Sequence, residues 1–260
     1  MSGDLLPDFD WLFLQHQHKV YRLALALAGN PYDAEDITQE SFLRAFRSYH
    51  SFRNESSLFT WIYRITLNVA ADFIKKRPKL PVQELIQNFG LSLDEMIDPN
   101  PSHDPEMEFL SKEMMYRCLH CFTECLPAKQ RTVFCLAVTL GLPYKTTAEI
   151  LDLSLAAVKT TVHRARHRIA GYLEDRCQLI RESNPCHCSQ WVRFALRQGW
   201  IKMERPIAPP VETVKQYKDN IDTLRKLKGI YQSLYPEMPD DAVARRIKEG
   251  IRNNEWEIFL

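Results

Sequence analysis

Residues 145–173, KTTAEILDLSLAAVKTTVHRARHRIAGYL, decide how this chain is read. Leu155, Val158, Val162, Ala165 and Ile169 recur at steps of three, four, three and four, which is one face of an α-helix. Ser154 stands where an N-cap belongs, and the helix it starts runs to about Glu174. A shorter helix, Lys145–Leu151, precedes it across a turn at Asp152-Leu153. A short helix, a tight turn and a second helix with a polar outer face make a helix-turn-helix. The outer faces carry Lys159, Thr160, Thr161, His163, Arg164, Arg166, His167 and Arg168. A solvated face is the plain reading of such residues. Their concentration behind a short helix favours the DNA major groove, where arginine pairs with guanine, threonine meets the thymine methyl and lysine meets phosphate.

Working outward, Glu106–Cys125 reads as a helix ended by Pro127, and Gln130–Leu140 as another stopped by Gly141 and Pro143. Upstream, Phe9–Ala28 carries an apolar stripe of Leu12, Phe13, Val20, Leu23 and Leu27, stopped by Gly29-Asn30-Pro31. The next helix begins near Asp33, with Asp33, Glu35 and Asp36 at the positive end of its dipole. Phe42, Ala45, Phe46 and Tyr49 form its core stripe. Asp36, Gln39 and Glu40 lie off that stripe as an acidic and amide face, for which ordinary solvation is the plain reading. After a polar loop, Arg53–Ser57, a third helix aligns Leu58, Trp61, Ile62, Ile65, Val69 and Phe73. It ends in Lys75, Lys76 and Arg77 before Pro78. Cations there suit the negative end of the dipole; beside so many aromatics they also suit single-stranded DNA.

Composition fits this all-α reading. The 260 residues are 45% hydrophobic and 26% charged, unlike a disordered tail or a coiled-coil rod. The net charge of +1 gives no hint of nucleic acid by itself. It is nevertheless unevenly spread: net 0 over residues 1–78, −6 over 79–110, +4 over 111–176 and +3 over 177–260. Residues 79–105, acidic and broken by Asp98-Pro99-Asn100-Pro101 and Asp104-Pro105, read as a linker with a short helix at Val82–Asn88. A solvated tether is the plain reading of that linker, and a nucleic-acid mimic shielding a basic groove is the other. The longest apolar run, Leu23–Gly29, is far short of the roughly 18 residues that span a bilayer. Met1–Asp10 lacks a signal-peptide pattern, so the chain reads as cytosolic. Seven cysteines, an odd number, argue against a disulfide framework.

Three stretches carry a family resemblance: YRLALALAGNPYDAEDITQESFLRAF (21–46), SSLFTWIYRITLNVAADFIKKR (56–77) and LSLAAVKTTVHRARHRIAGYL (153–173). Together they resemble a sigma factor of the extracytoplasmic-function (ECF) type, over roughly residues 9–176. The resemblance implies region 2 in residues 1–78, a linker over 79–105, and region 4 in 106–176. It implies a cytoplasmic, non-enzymatic factor that directs core RNA polymerase to promoters, with an anti-sigma factor as a further partner. Asp36, Gln39 and Glu40 would dock on the clamp helices of the polymerase beta-prime subunit. Asn54, Ser56, Trp61 and Asn68 would melt the minus-ten element and hold a flipped base, whose extrusion costs a few kcal/mol, with Lys75, Lys76 and Arg77 on the backbone. Lys159, Thr160, His163 and Arg164 would read the minus-thirty-five element. Two positions depart from the family pattern: Thr147 replaces an aliphatic core residue, and Asp152 replaces the turn glycine. Asp tolerates the left-handed conformation, so the turn survives. A stand-alone helix-turn-helix regulator would explain residues 140–173 but neither the acidic helix nor the melting-type unit.

Residues 177–260 lie beyond the resemblance. They read as a helical extension with a regulatory role: a short amphipathic helix from Trp191 to Leu196 ended by Gly199, a break at Pro206–Pro210, a helix Val214–Tyr235 aligning Tyr217, Ile221, Leu224 and Leu227, and a last one from Asp240 or Asp241 through Gly250, with Val243, Ile247 and Ile251 inward. Cys177, Cys186, His187 and Cys188 are zinc-ligand types, but their spacing is not a standard finger and adjacent His187 and Cys188 rarely bind one metal. Redox chemistry and a plain structural role are the other readings. No cofactor is otherwise implied. A zinc hydrolase built on this cluster lacks a general base, a nucleophile pair or a phosphate loop. Cys118, Cys121 and Cys125 read as core-packing residues on a helix.

Overall fold

The computed structural model describes residues 9–75, 93–102, 104–202, 222–235, 245 and 248–249. Among these there is no β-strand, only one parallel bridge between Cys177 and Cys186. No described helix is long and apolar enough to cross a membrane.

The first unit is a bundle of α1 (Phe9–Ala28), α2 (Pro31–Ser48) and α3 (Leu58–Lys75). The second half of α1 sets its character. Val20, Tyr21 and every residue from Leu23 to Ala28 are buried. A helix apolar all round needs cover all round. One side faces α2 and α3; the other meets the second unit, where the Cys135 thiol donates to the Ala26 carbonyl at 3.6 Å. Gly29 then turns the chain with φ +72°. A Cβ there would lie 2.2 Å from the His120 ring, so only glycine admits this approach.

The second helix begins at Pro31, two residues before the expected start. Asn30 is its cap: the Asn30 Oδ1 accepts from the Asp33 backbone N–H at 2.9 Å. Proline at the first helical position loses no hydrogen bond. Phe42, Ala45 and Tyr49 face inward as expected, but Phe46 is 49% exposed. It turns off the packed face and meets the Phe9 ring edge-on at 5.1 Å.

The second unit comprises α4 (Pro105–Glu124), α5 (Ala128–Phe134), a π turn (Cys135–Thr139), α6 (Tyr144–Leu151) and α7 (Leu155–Leu173). Asp104 caps α4 through the Met107 N–H at 2.8 Å. The expected helix Gln130–Leu140 starts earlier, directly after Pro127, and its second half is widened: the Leu140 N–H reaches the Cys135 carbonyl, five residues back, at 2.9 Å. This wide turn is the surface that meets α1.

The extension continues from α7. A short 3₁₀ turn, Cys188–Trp191, leads into α8 (Val192–Arg197), and both pack on α4. The Asp98 side of the acidic linker is no free tether: its carboxylate meets Arg193 at 3.0 Å, and its N–H donates to the Gln190 carbonyl at 2.8 Å. Helix α9 (Thr223–Leu234) is capped by Asp222 through the Arg225 N–H at 3.2 Å; the part of the expected helix over 214–221 lies outside the described residues. Leu227 is buried and Leu224 half-buried. Tyr217, Ile221, Val82–Asn88, Pro206–Pro210, Val243, Ile247 and Ile251 lie outside the described residues, as does most of 240–250. Buried residues of α9 join those of both units in one apolar cluster.

Burial holds the Cys135 thiol up at about 12 and the Cys177 thiol at about 11, against an ordinary 9.0. The raised folded values mean this stability is complete below pH 9 and is lost as pH rises through 11–12. Denaturation midpoints should therefore hold from pH 7 to pH 9 and fall above it. Cys135→Ala should flatten part of that fall in a denaturant titration followed by circular dichroism.

Candidate nucleic-acid and polymerase interface

Helix α6 ends at Asp152, whose φ of +52° is the left-handed turn anticipated for this position. The Leu153 N–H closes the turn on the Ala148 carbonyl at 3.0 Å. Ser154 then caps α7, its Oγ accepting from the Ala157 N–H at 3.1 Å. Val158, Val162, Ala165 and Ile169 are buried, whereas Leu155 is 45% exposed. Leu155 is the first residue of α7, and full burial starts one turn later at Val158. This anchoring turns Lys159, Thr160, His163, Arg164, His167 and Arg168 to the surface. The His163 and His167 rings lie 4.2 Å apart, one turn from each other. Arg166 is half-buried instead and donates to the Leu224 carbonyl of α9.

In the first unit, Asn54 occupies the left-handed region with φ +55° in the loop before α3. The Ser57 Oγ accepts from the Thr60 N–H at 3.1 Å and so caps α3. Trp61 is half-buried, its ring 5.1 Å from Phe52 and 6.2 Å from Tyr49. Trp61, Asn68 and Lys75 follow at steps of seven and share a side of α3. Asn54, Asn68 and Lys75 are exposed and Ser56 is half-buried. Arg64, one turn from both Trp61 and Asn68, is committed elsewhere. Its guanidinium donates to the Ile150 carbonyl at 3.0 Å and the Glu149 carbonyl at 2.7 Å, at the C-terminal end of α6.

A family model for Sigma-70 region 2 matches residues 12–79, and one for Sigma-70, region 4 matches residues 116–169. The ECF RNA polymerase sigma-E factor of Haemophilus influenzae is 32% identical over 167 residues, 64% of this chain and 87% of that protein. The chain belongs to the ECF sigma factors. The ECF RNA polymerase sigma factor SigE of Mycolicibacterium smegmatis is 32% identical over 175 residues; the match covers 66% of this chain and 65% of that relative's length. Among solved structures, the sigma factor RpoE in complex with the anti-sigma factor NepR from Bartonella quintana is similar at 23% identity and a TM-score of 0.43, covering 64% of this chain and 97% of that one.

In this sigma factor the acidic face of α2 is open. Asp36 is exposed, and Gln39 and Glu40 are half-buried. Glu40 pairs with Arg44 at 2.6 Å. Partial burial, and Glu35 after it, raise the Asp36 carboxyl above the usual range. Lys75 lies 3.8 Å from Asp72; Lys76 and Arg77 lie outside the described residues.

The cysteine set is only partly gathered. Cys177 and Cys186 are bridge partners: the Cys186 N–H donates to the Arg176 carbonyl at 2.9 Å and the Gln178 N–H to the Cys186 carbonyl at 3.2 Å. The Trp191 indole N–H reaches the Cys186 sulfur at 3.3 Å. The His187 backbone N–H is held by the Gln190 side chain at 3.1 Å. Among the described residues, no three His, Cys, Asp or Glu side chains are placed to hold a metal. None of the seven cysteines is in a disulfide. Cys118, Cys121 and Cys125 are half-buried rather than fully in the core, and Cys118 packs beside Leu110, Met114 and Trp191.

Sequence reasoning passed over Arg64, Arg22 and His120. Arginines on helix surfaces and a lone histidine carry no local signal; only the neighbouring units give them a task. Thr147 was noticed, and it is fully buried with its hydroxyl unpartnered. Thr147→Val should raise stability by about 1 kcal/mol by removing that unsatisfied hydroxyl. Ser154→Ala should lower it by about 1 kcal/mol through the lost cap. Urea denaturation of both variants checks the two signs.

Proposed function

We propose that this sigma factor binds core RNA polymerase and directs it to promoters, with the first unit melting the minus-ten element and the second reading the minus-thirty-five element. The observation that supports this best is the presence on one chain of two separate DNA-type faces. One is the outward row of α7; the other is the Trp61–Asn68–Lys75 side of α3 behind the Asn54 loop. A regulator that only recognises duplex DNA has use for the first face alone.

In the second unit, Lys159, Thr160, His163 and Arg164 enter the major groove, with Arg164 placed for a guanine edge and Lys159 for phosphate. In the first, the strand is unpaired against α3. Trp61, backed by Phe52 and Tyr49, offers a flat apolar surface for a base, and Asn54, Ser56 and Asn68 offer hydrogen bonds around it. Lys75, Lys76 and Arg77 carry the backbone. Asp36, Gln39 and Glu40 dock the polymerase clamp helices. Residues 177–260 regulate how these faces are presented.

Reconstituted transcription tests this reading. The purified chain should make core polymerase initiate at a defined set of promoters, and duplex binding without any effect on core would assign it to stand-alone regulators instead. Arg164→Ala should cost about 1–3 kcal/mol at one base pair of the upstream element, while Lys159→Ala should weaken binding to all sequences and lower the salt slope by about one. Trp61→Ala should leave upstream binding intact and reduce permanganate-reactive thymines in the melted region. Reversing charge at Asp36 and Glu40 should weaken the association with core in gel filtration.

A further inference from the structure

We infer that helix α9 and the Tyr235 that follows it form an intramolecular clasp. The clasp holds the two DNA-binding units closed on each other and has to open before the chain spans a promoter. The inference rests on the two-element reading above and goes beyond it by assigning the device and its residues.

Helix α9 touches both units. From the first, Arg22 on α1 donates to the Tyr235 carbonyl at 2.6 Å and to the Gln232 carbonyl at 3.3 Å. From the second, His120 Nδ1 and the Tyr235 hydroxyl are 3.0 Å apart. One residue therefore binds both units, its backbone to one and its side chain to the other. The Tyr231 hydroxyl donates to the Leu119 carbonyl at 2.9 Å, and Arg166 of the recognition helix donates to the Leu224 carbonyl. Lys226, 2% exposed, reaches the Ile180 carbonyl at 2.5 Å. Between these bonds lie Leu227, Ile230, Tyr231 and Leu234, none more than 1% exposed. The ring of Phe134 stands edge-on to Tyr231 at 4.9 Å, and that of Tyr116 to Tyr235 at 5.6 Å.

The closed arrangement is too short for the task. Elements named for positions ten and thirty-five lie about 25 base pairs apart, or roughly 80 Å at the duplex rise of about 3.4 Å. Arg64, one turn from Trp61 and Asn68, is bonded directly to the Glu149 and Ile150 carbonyls. Arg164 follows Ile150 by fourteen residues, which span at most about 50 Å fully extended and far less here, where eleven of them are helical. The two faces cannot meet both elements while Arg64 and the clasp hold. These anchors of α9 run mostly to backbone carbonyls rather than carboxylates, so salt alone opens it poorly. Among the described residues, none of the bonds that anchor α9 comes from Asp36, Gln39 or Glu40. Polymerase can therefore land on the closed form and draw it open by binding the open form better.

The test compares the full chain with an Arg22→Ala/Tyr235→Phe double variant and a chain ending at residue 221, each checked for helicity. Small-angle scattering of the free proteins reads closure; reconstituted initiation at limiting factor reads its consequence. Both altered chains should show a larger maximum dimension and initiate about fivefold or more above the full chain, in the range of an ordinary coupling energy. A full chain already as extended as the variants overturns the clasp, as do altered chains that stay compact or that extend and initiate no better. Should the shortened chain lose helicity, the double variant, which keeps the apolar helix, decides. Initiation by none of the three sinks the promoter reading, while scattering still decides whether the clasp closes the chain.

Discussion

From Leu23 to Ala28, α1 has no face for water, and the rest of the structure follows from that. A three-helix bundle can cover two sides of such a helix; the third needs a partner. The π turn Cys135–Thr139 supplies it, and the bare Cα of Gly29 lets His120 settle against the end of the same helix. Two units that could each have folded around a private core share one instead, and α9 completes it. Burying an aliphatic side chain is worth about 1.5–3 kcal/mol. The several side chains at this junction therefore outweigh the handful of hydrogen bonds that orient it.

Much of this was legible in the sequence where a local rule governs. The step pattern of α7, the Ser154 cap and the left-handed Asp152 turn are each set by neighbours within four residues, and each stands where expected. Misreadings fell where a distant partner decides. Phe46 continues a helical stripe, yet it stays half exposed against the edge of Phe9. Leu155 fits its stripe as well, one turn before the neighbouring helices arrive. The run Leu23–Ala28 looked like an ordinary stripe because periodicity does not distinguish a helix covered on one side from one covered on all. The α4–α5 boundary was placed from Pro127, but the widening into a π turn answers to α1, over a hundred residues away.

For the candidate site, residue type was legible and commitment was not. Lys159, Thr160, His163 and Arg164 face outward because their helix has one apolar stripe and they are off it. Arg166 has the same chemistry and is spent on a backbone carbonyl. Arg64 looked like any surface cation, yet it joins α3 of the first unit to the C-terminal end of α6 in the second. The thiols give a similar lesson. Cys177 and Cys186 are nine positions apart in sequence and adjacent through a backbone bridge that no spacing rule foretells.

The clasp has a position in time as well as in space. It begins 50 residues after the end of the recognition helix. At synthesis rates of about 5–20 residues per second, both DNA-binding units are made several seconds before α9 exists. Each new molecule thus passes through an interval in which the Arg64 bonds and the α1–π turn packing can form and the α9 contacts cannot. The fully clasped form is thus a state the chain acquires only after both DNA-binding units have been made.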